Sequence, residues 1–285
     1  MIRFLDNALF SLQWPMPIVI IVSSMAVIAI LAYLARSLDL GGALTAFVMG
    51  IIVLWTTGFG GFLLFLLFFV SCTVVGKLSK KIRRGKKTEI AEKKGHRRDV
   101  MQVLSNGLMA TIAALLWFFT MKNAALVMFG AAVAEATSDT FAGEIGRLSK
   151  KDPVSIIRRT PVTPGMSGGV TALGLMAAFL SSAVIALCWY ASFSGASVYA
   201  SVLVCLMGFA GAVLDSVLGA AVQAQYIDSD TGLLTEAEEK DGVKLELSHG
   251  IRWVDNDMVN LMSNTFSAVF ALGMSTLLFK TVAKT

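Results

Sequence analysis

Apolar positions along this chain gather into stretches about as long as a bilayer core is thick. A membrane span needs about 20 mostly apolar residues. Eight runs qualify: Pro15–Ala35, Gly41–Thr57, Gly61–Leu78, Val100–Thr120, Ala124–Ile145, Gly168–Tyr190, Val198–Val222 and Met258–Phe279. Between them little remains outside a bilayer except loops. The pattern predicts an all-α, polytopic integral membrane protein of about eight transmembrane helices.

Polar residues inside the runs recur at helical spacing. Asp99, Gln102 and Asn106 open the fourth run at i, i+3 and i+7, so they share one face. Asp257, Asn260 and Asn264 repeat the arrangement in the eighth, after Asp255 and Asn256, and the seventh ends with Asp215, Ser216, Gly219 and Gln223. Glu135 and Asp139 stand one turn apart in the fifth, among Ser138, Thr140 and Glu144. Taken singly, the amides fit an interhelical hydrogen-bond seam as well as a site. The carboxylates are different, because an acid within a span is costly and marks a functional site by default. Asp99, Asp139, Asp215 and Asp257 near one depth would repel one another without a cation, and an oxygen-rich cluster suits Mg²⁺. Beyond Glu144 come a basic loop with Arg158 and Arg159, then Thr160-Pro161-Val162-Thr163-Pro164-Gly165-Met166-Ser167-Gly168-Gly169 at the head of the sixth run. A glycine-rich turn entering a helix offers free N–H groups to phosphate.

Composition agrees with the membrane reading: 56% of residues are hydrophobic, 15% charged, and the mean hydropathy is +0.73. Cys72, Cys188 and Cys205 all fall within spans without metal-type spacing, which speaks against a disulfide framework or a zinc site. The first run is long enough to span and lacks signal-peptide flanks, so it is expected to be retained. With eight spans, Arg36, the basic residues from Lys77 to Arg98, Arg147 to Arg159, and Lys240, Lys244 and Arg252 share one side, accounting for 20 of the 24 lysines and arginines. The positive-inside rule makes that side cytoplasmic and both termini non-cytoplasmic. The run Lys80 to Lys87 is expected to be a topology and headgroup signal, whereas Arg97 and Arg98 abut the fourth helix. The stretch from Gln225 to Val254 is expected to be a polar loop, acidic at Glu236, Glu238, Glu239 and Asp241. Its Asp228-Ser229-Asp230-Thr231-Gly232 opens like a calcium loop without the downstream spacing. His96 and His249 are expected to be surface residues.

Together these motifs resemble the integral-membrane family that includes plant phytyl-phosphate kinase and the transmembrane-protein-nineteen group. They are Arg97-Arg98-Asp99 with Gln102 and Asn106; Ser138-Asp139-Thr140 with Glu144; the Pro164 to Gly169 turn; Asp215-Ser216 with Gly219; and Asp255-Asn256-Asp257 with Asn260. A broader similarity reaches the CTP-using dolichol and phytol kinases, although Pro164 stands where those have Glu and Met166 replaces their small hydroxyl residue. The resemblance implies phosphoryl transfer from a nucleoside triphosphate, CTP in particular, to an isoprenoid monophosphate.

The resulting expectation is one membrane domain over residues 1–285: a three-helix scaffold (15–78), a basic cytoplasmic loop (79–98) and a five-helix catalytic region (99–285). It would lie in the cell (inner) membrane with its site facing the cytoplasm. Asp139, Glu144, Asp215 and Asp257 are the expected Mg²⁺ ligands, and Asp139, Asp215, Asp257 and Arg158 the catalytic set. Arg158, Arg159, Thr160, Gly165, Ser167, Gly168 and Gly169 would bind triphosphate, and Arg97 and Arg98 the lipid phosphate. Asp99, Gln102, Asn106, Glu135, Ser138, Asn260 and Asn264 would support them. The implied partners are an isoprenoid phosphate, a nucleoside triphosphate and the membrane, with no nucleic acid; self-association stays open. The rivals are a CTP-dependent lipid nucleotidyltransferase and a transporter of an anionic lipid or solute.

Overall fold

A computed structural model describes residues 2–83, 97–193, 196–228, 232, 234–240 and 242–282. The basic run beyond Arg83, His96, the Ser229–Thr231 part of the calcium-like stretch and Asp241 lie outside the described residues. The helices are α1 (Ile2–Phe10), α2 (Met16–Leu34), α3 (Leu40–Arg83), α4 (Val100–Thr120), α5 (Asn123–Gly146), α6 (Ala172–Ser192), α7 (Val198–Ala221) and α8 (Asn256–Val282). Among the described residues six of them, α2, α3, α4, α6, α7 and α8, are long and apolar enough to cross a membrane. The all-α membrane fold is as expected.

The second and third apolar runs are two limbs of one element. A straight α3 of 44 residues would be about 66 Å long, twice the hydrocarbon thickness. It bends instead at Gly58, whose φ of 66° and ψ of −165° only glycine adopts readily. The limbs fold back on each other, because Lys77 Nζ near the far end returns to Ala35 O (3.1 Å) and Ser37 Oγ (3.2 Å), just before the first limb starts. At the bend, Asp6 of α1 accepts the Phe59 N–H at 2.7 Å and caps the second limb from a distant part of the chain.

At the centre stands α5, buried from Ala124 to Ser138 and packed by α3, α4, α6, α7 and α8. Lipid tails are as apolar as leucine, so helices within a membrane associate through close packing of small residues and hydrogen bonds. Gly130 admits the Trp189 ring, whose Nε1 donates to Leu126 O at 2.8 Å, and Gly208 admits Ala134. That alanine-rich hub holds whatever it carries in a rigid frame.

The basic loops converge on one end. Arg98 N donates to Ser37 O (3.1 Å), Asp39 N to Arg98 O (3.0 Å), and Ser79 Oγ to Glu144 O (2.8 Å). Strand β1 (Val154–Ser155) pairs antiparallel with β2 (Gly169–Val170) and ties down the glycine-rich turn. The stretch after α7, expected to be a loop, folds instead into a small sheet. Strands β3 (Gln225–Ile227), β4 (Leu234–Thr235) and β7 (Glu246–His249) form an antiparallel sheet in the order β4-β3-β7, beside the hairpin of β5 (Glu239–Lys240) and β6 (Val243–Lys244). Among the described residues its core is Ala224, Tyr226 and Leu245, backed by Leu247, a small apolar group within a polar segment. Asp228 is a salt-bridge partner of Lys240 at 2.7 Å, and Gly232 N closes a turn on Asp228 O.

Candidate functional site

The hub helix carries Glu135 and Asp139 inward, and α7 brings Asp215 to meet them. Asp139 and Asp215 lie within hydrogen-bonding reach of each other, and Glu135 is in electrostatic range of both. By helical rise, Asp139 and Glu135 sit about 10 and about 16 Å below the end of α5. Glu135 is only 2% exposed, whereas Asp139 and Asp215 are half-buried.

Burying carboxylates requires donors, and α8 supplies them. Ser263 Oγ lies 2.9 Å from Glu135 Oε1 and 3.0 Å from Asp215 Oδ2. Asn264 Nδ2 donates to Glu135 Oε2 (2.5 Å) and Ala132 O (2.9 Å). Asn260, with its amide oriented by this network, donates to Asp215 Oδ2 at 3.0 Å. Ser263 has a single proton for two carboxylates, so the cluster is short of positive charge from its own bracing. Gly211 of α7 makes the approach feasible, since any Cβ there would overlap Glu135.

One cation reaches the cluster from the basic end. Arg147 acts electrostatically on Asp139, and its guanidinium lies against Gly165, 3.7 Å from where a Cβ would stand. Arg147 therefore stands between the carboxylates and the glycine-rich turn, in electrostatic range of the one and in contact with the other. Within the turn, Met166 N donates to Thr163 O (3.0 Å) and Gly169 N to Met166 O (3.1 Å), so the Gly169 N–H expected to meet phosphate is used internally. Ser167 N donates to Glu236 Oε1 at 2.8 Å. Gly168, at φ 78°, presses on Ala220 and Gly219 of α7. The glycines here serve packing as much as N–H exposure.

Several expected residues have other roles. Glu144 is not with Asp139 and Asp215: five residues of helix turn it about 140° away from Asp139, onto Arg83 of α3, with Arg83 Nη2 at 3.4 Å from Glu144 Oε2. Asp99 is the N-cap of α4, accepting Gln102 N (2.9 Å) while Gln102 Oε1 accepts Asp99 N (3.2 Å) in a capping box. Asn106 bonds back to Gln102 O and Ser105 Oγ. Ser138 ties α5 to Ala178 O of α6. Arg97 lies over the Tyr33 ring, 5.6 Å from its centroid, on the outer side. Arg158, Arg159 and Thr160 are exposed on the β1 turn. Asp257 is buried at the start of α8, one turn above Asn260. Among the described residues no group of three or more His, Cys, Asp or Glu already surrounds a common cation position. The Asp139–Asp215 pair does fit Mg²⁺, which binds through one or two carboxylates plus substrate phosphates and retains water.

The Glu144 assignment has a direct check. Replacing Glu144 with Gln removes the carboxylate that faces Arg83 Nη2 at 3.4 Å, while Arg83 keeps its bond to Ser79 Oγ. Losing one such contact costs about 0.5–1.5 kcal/mol. The expected result is a lower melting temperature in detergent with an unchanged Mg²⁺ requirement; a raised Mg²⁺ requirement at unchanged stability would restore Glu144 as a ligand.

Comparison with known proteins follows the same outline. The family described as "Integral membrane protein DUF92" matches residues 23–268. An uncharacterized membrane protein of Methanocaldococcus jannaschii is 32% identical over 203 residues, covering 70% of this chain and 81% of that protein. Protein PGR of Arabidopsis thaliana is 28% identical over 275 residues, covering 88% and 93%. Protein VTE6, chloroplastic, of the same plant is 25% identical over 247 residues, covering 85% and 66%. No solved structure matches the chain.

Proposed function

The chain belongs to the DUF92 family of integral membrane proteins, and we propose that it is a membrane kinase acting on an isoprenoid monophosphate. The observation that carries the reading is the carboxylate cluster of Glu135, Asp139 and Asp215, braced by α8 and linked through Arg147 to an anion-accepting turn. Asp139 and Asp215 would hold Mg²⁺, with Asp257 as an orienting carboxylate. The ion, when bound, neutralises charge on the transferring phosphoryl group. Arg147 and the turn would hold the triphosphate, and Arg158 and Arg159 would steer it in from the basic side, cytoplasmic by the positive-inside rule. The acceptor monophosphate would lie at Arg98, which like Asp139 is in electrostatic range of Cys72 of α3. Its ionised oxygen attacks the γ-phosphorus; that P–O bond forms as the β–γ bridging P–O bond breaks, and the nucleoside diphosphate leaves. The acceptor is already an anion, so positioning and charge neutralisation suffice and no base is required.

The test is incubation of the protein in lipid nanodiscs with Mg²⁺, γ-labelled CTP or ATP, and phytyl, geranylgeranyl or undecaprenyl monophosphate. Label in a lipid diphosphate is the expected result. A product retaining the base would make the protein a nucleotidyltransferase, and untouched nucleotide with every acceptor would remove the kinase reading.

Glu236 adds a sharper expectation. Its carboxylate occupies the Ser167 N–H that a phosphate oxygen would use, so nucleotide must displace it. Glu236→Ala is expected to lower the nucleotide KM about three- to tenfold, a net charge-assisted hydrogen bond being worth about 1.5–3 kcal/mol less the cost of the bare N–H. A raised KM would make Glu236 part of the binding site.

A further inference from the structure

Three cations that the reading above does not use gather where α2 ends. The last turn of α2 closes as a Schellman motif, in which Arg36 N donates to Tyr33 O (3.0 Å) and Ser37 N to Ala32 O (3.0 Å). The left-handed position of that motif ordinarily goes to glycine, and here Arg36 holds it at φ 55°. A side chain retained where it strains its own backbone points to a use for that side chain. Lys77 of α3 comes to the same turn, its Nζ 3.1 Å from Ala35 O and 3.2 Å from Ser37 Oγ. Arg97 arrives from the segment before α4, its guanidinium 5.6 Å from the Tyr33 ring centroid. That segment is fastened to the turn by Arg98 N, which donates to Ser37 O at 3.1 Å. Among the described residues no carboxylate pairs with Arg36, Lys77 or Arg97. The acids nearest in sequence, Asp39 and Asp99, are turned to backbone as helix caps, accepting Gly42 N at 2.7 Å and Gln102 N at 2.9 Å. A lysine carries three N–H donors and an arginine five, so donors remain on all three cations.

We propose that this turn seats an anionic diacyl phospholipid of the cytoplasmic leaflet, with its phosphate among Arg36, Lys77 and Arg97. Charge complementarity selects the occupant. The cations lie at the basic end of the helices, at headgroup level, and basic groups there attract anionic lipid. Apolar positions continue the seat into the bilayer: Ile30 and Leu34 of α2, and Val74 and Leu78 of α3, are exposed, each pair one helical turn apart. Two stripes match two acyl chains. The exposed Tyr33 belongs at the same level, where an aromatic ring with a polar tip favours the membrane interface. The seat does not depend on the kinase reading, since none of its three cations is assigned to nucleotide or acceptor.

The experiment is native mass spectrometry of the delipidated protein in detergent, titrated with dioleoyl phosphatidylglycerol or dioleoyl phosphatidylcholine. Phosphatidylglycerol is expected to bind more tightly. Affinity for its first molecule should fall about fivefold in Arg36→Gly or Arg97→Gln and about 25-fold in the two together, at about 1 kcal/mol for each basic residue near a membrane surface. Arg36→Gly also relieves the left-handed backbone, so the melting temperature without lipid should hold or rise while the lipid is lost. Unchanged affinity in the double variant would overturn the seat, as would equal affinity for phosphatidylcholine. An equal loss in Lys150→Gln/Lys151→Gln, exposed in the loop after α5, would overturn it in favour of diffuse surface charge. Displacement of phosphatidylglycerol by equimolar geranylgeranyl monophosphate would overturn the diacyl occupant and make the turn a site for single-chain lipid phosphates.

Discussion

Asp139→Asn is expected to abolish phosphoryl transfer, by about 10³-fold or more, while raising the stability of the metal-free protein. The two effects share one cause. Asp139 sits within reach of Asp215 and in range of Glu135, and the donors that α8 aims at the cluster reach Glu135 and Asp215. Two like charges 4 Å apart repel by about 4 kcal/mol at an effective dielectric of 20. Removing one charge at nearly constant shape relieves part of that, and each kcal/mol recovered raises Tm by about 2–4 °C in a chain of this size. The rise should appear in EDTA. Wild type should in turn gain stability from Mg²⁺, a gain the variant loses, because only a species bound by the folded state stabilises it. Thermal denaturation in detergent with and without Mg²⁺, alongside the nanodisc assay, reads both. Normal turnover would remove Asp139 from the site. Lost turnover with a lower Tm would make it a structural residue.

How much of this was legible in the sequence follows from what each signal depends on. The apolar runs and the convergence of basic loops depend on local composition, and the helices appear where the runs were. Asp139 and Asp215 were legible because a carboxylate within a span is costly wherever it occurs, and Asn260 and Asn264 because they share a helical face. Glu144 was misplaced by reading nearness in sequence as nearness in space, when helical phase carries it to Arg83. Asp99 looked like a fourth site acid, yet the same Asp-x-x-Gln spacing describes a capping box. Ser263, the donor at the centre of the cluster, had no signal, being one more serine in an apolar helix. Arg147 was hidden among topology charges, and Glu236 in an acidic stretch that folds into a sheet. Both act across tertiary contacts, as does the Asp6 cap on α3. The broader similarity to the CTP-using kinases implies a carboxylate at the position of Pro164, and here one arrives at the same turn from Glu236 instead.

The glycine-rich turn separates two explanations of its glycines. If the turn works only through its bare N–H groups, Gly165→Ala and Gly168→Ala should be about equally harmful, since both positions have positive φ, 92° and 78°. The left-handed backbone alone costs a non-glycine residue about 1–2 kcal/mol. At Gly165 the new methyl meets nothing closer than the Arg147 guanidinium at 3.7 Å, an ordinary contact. At Gly168 it would overlap Ala220, whose backbone nitrogen lies 2.6 Å away, in a helix that cannot move aside. Overpacking adds about 1–3 kcal/mol, and the nearest relief is to lift the turn off α7. That lift would carry Gly165 away from Arg147 and pull on the bond next to the β1–β2 pairing, in which Ile156 N donates to Gly168 O at 3.0 Å. Gly168→Ala is therefore expected to raise the nucleotide KM about 30-fold or more, the equivalent of roughly 2 kcal/mol of lost docking, and Gly165→Ala only about three- to tenfold. The carboxylate cluster, braced from α8, stays assembled, so stabilisation by Mg²⁺ alone should survive in both variants. Equal KM values for the two would assign the glycines to N–H exposure, whereas loss of the Mg²⁺ effect in Gly168→Ala would mean that the turn and the carboxylates form a single cooperative unit.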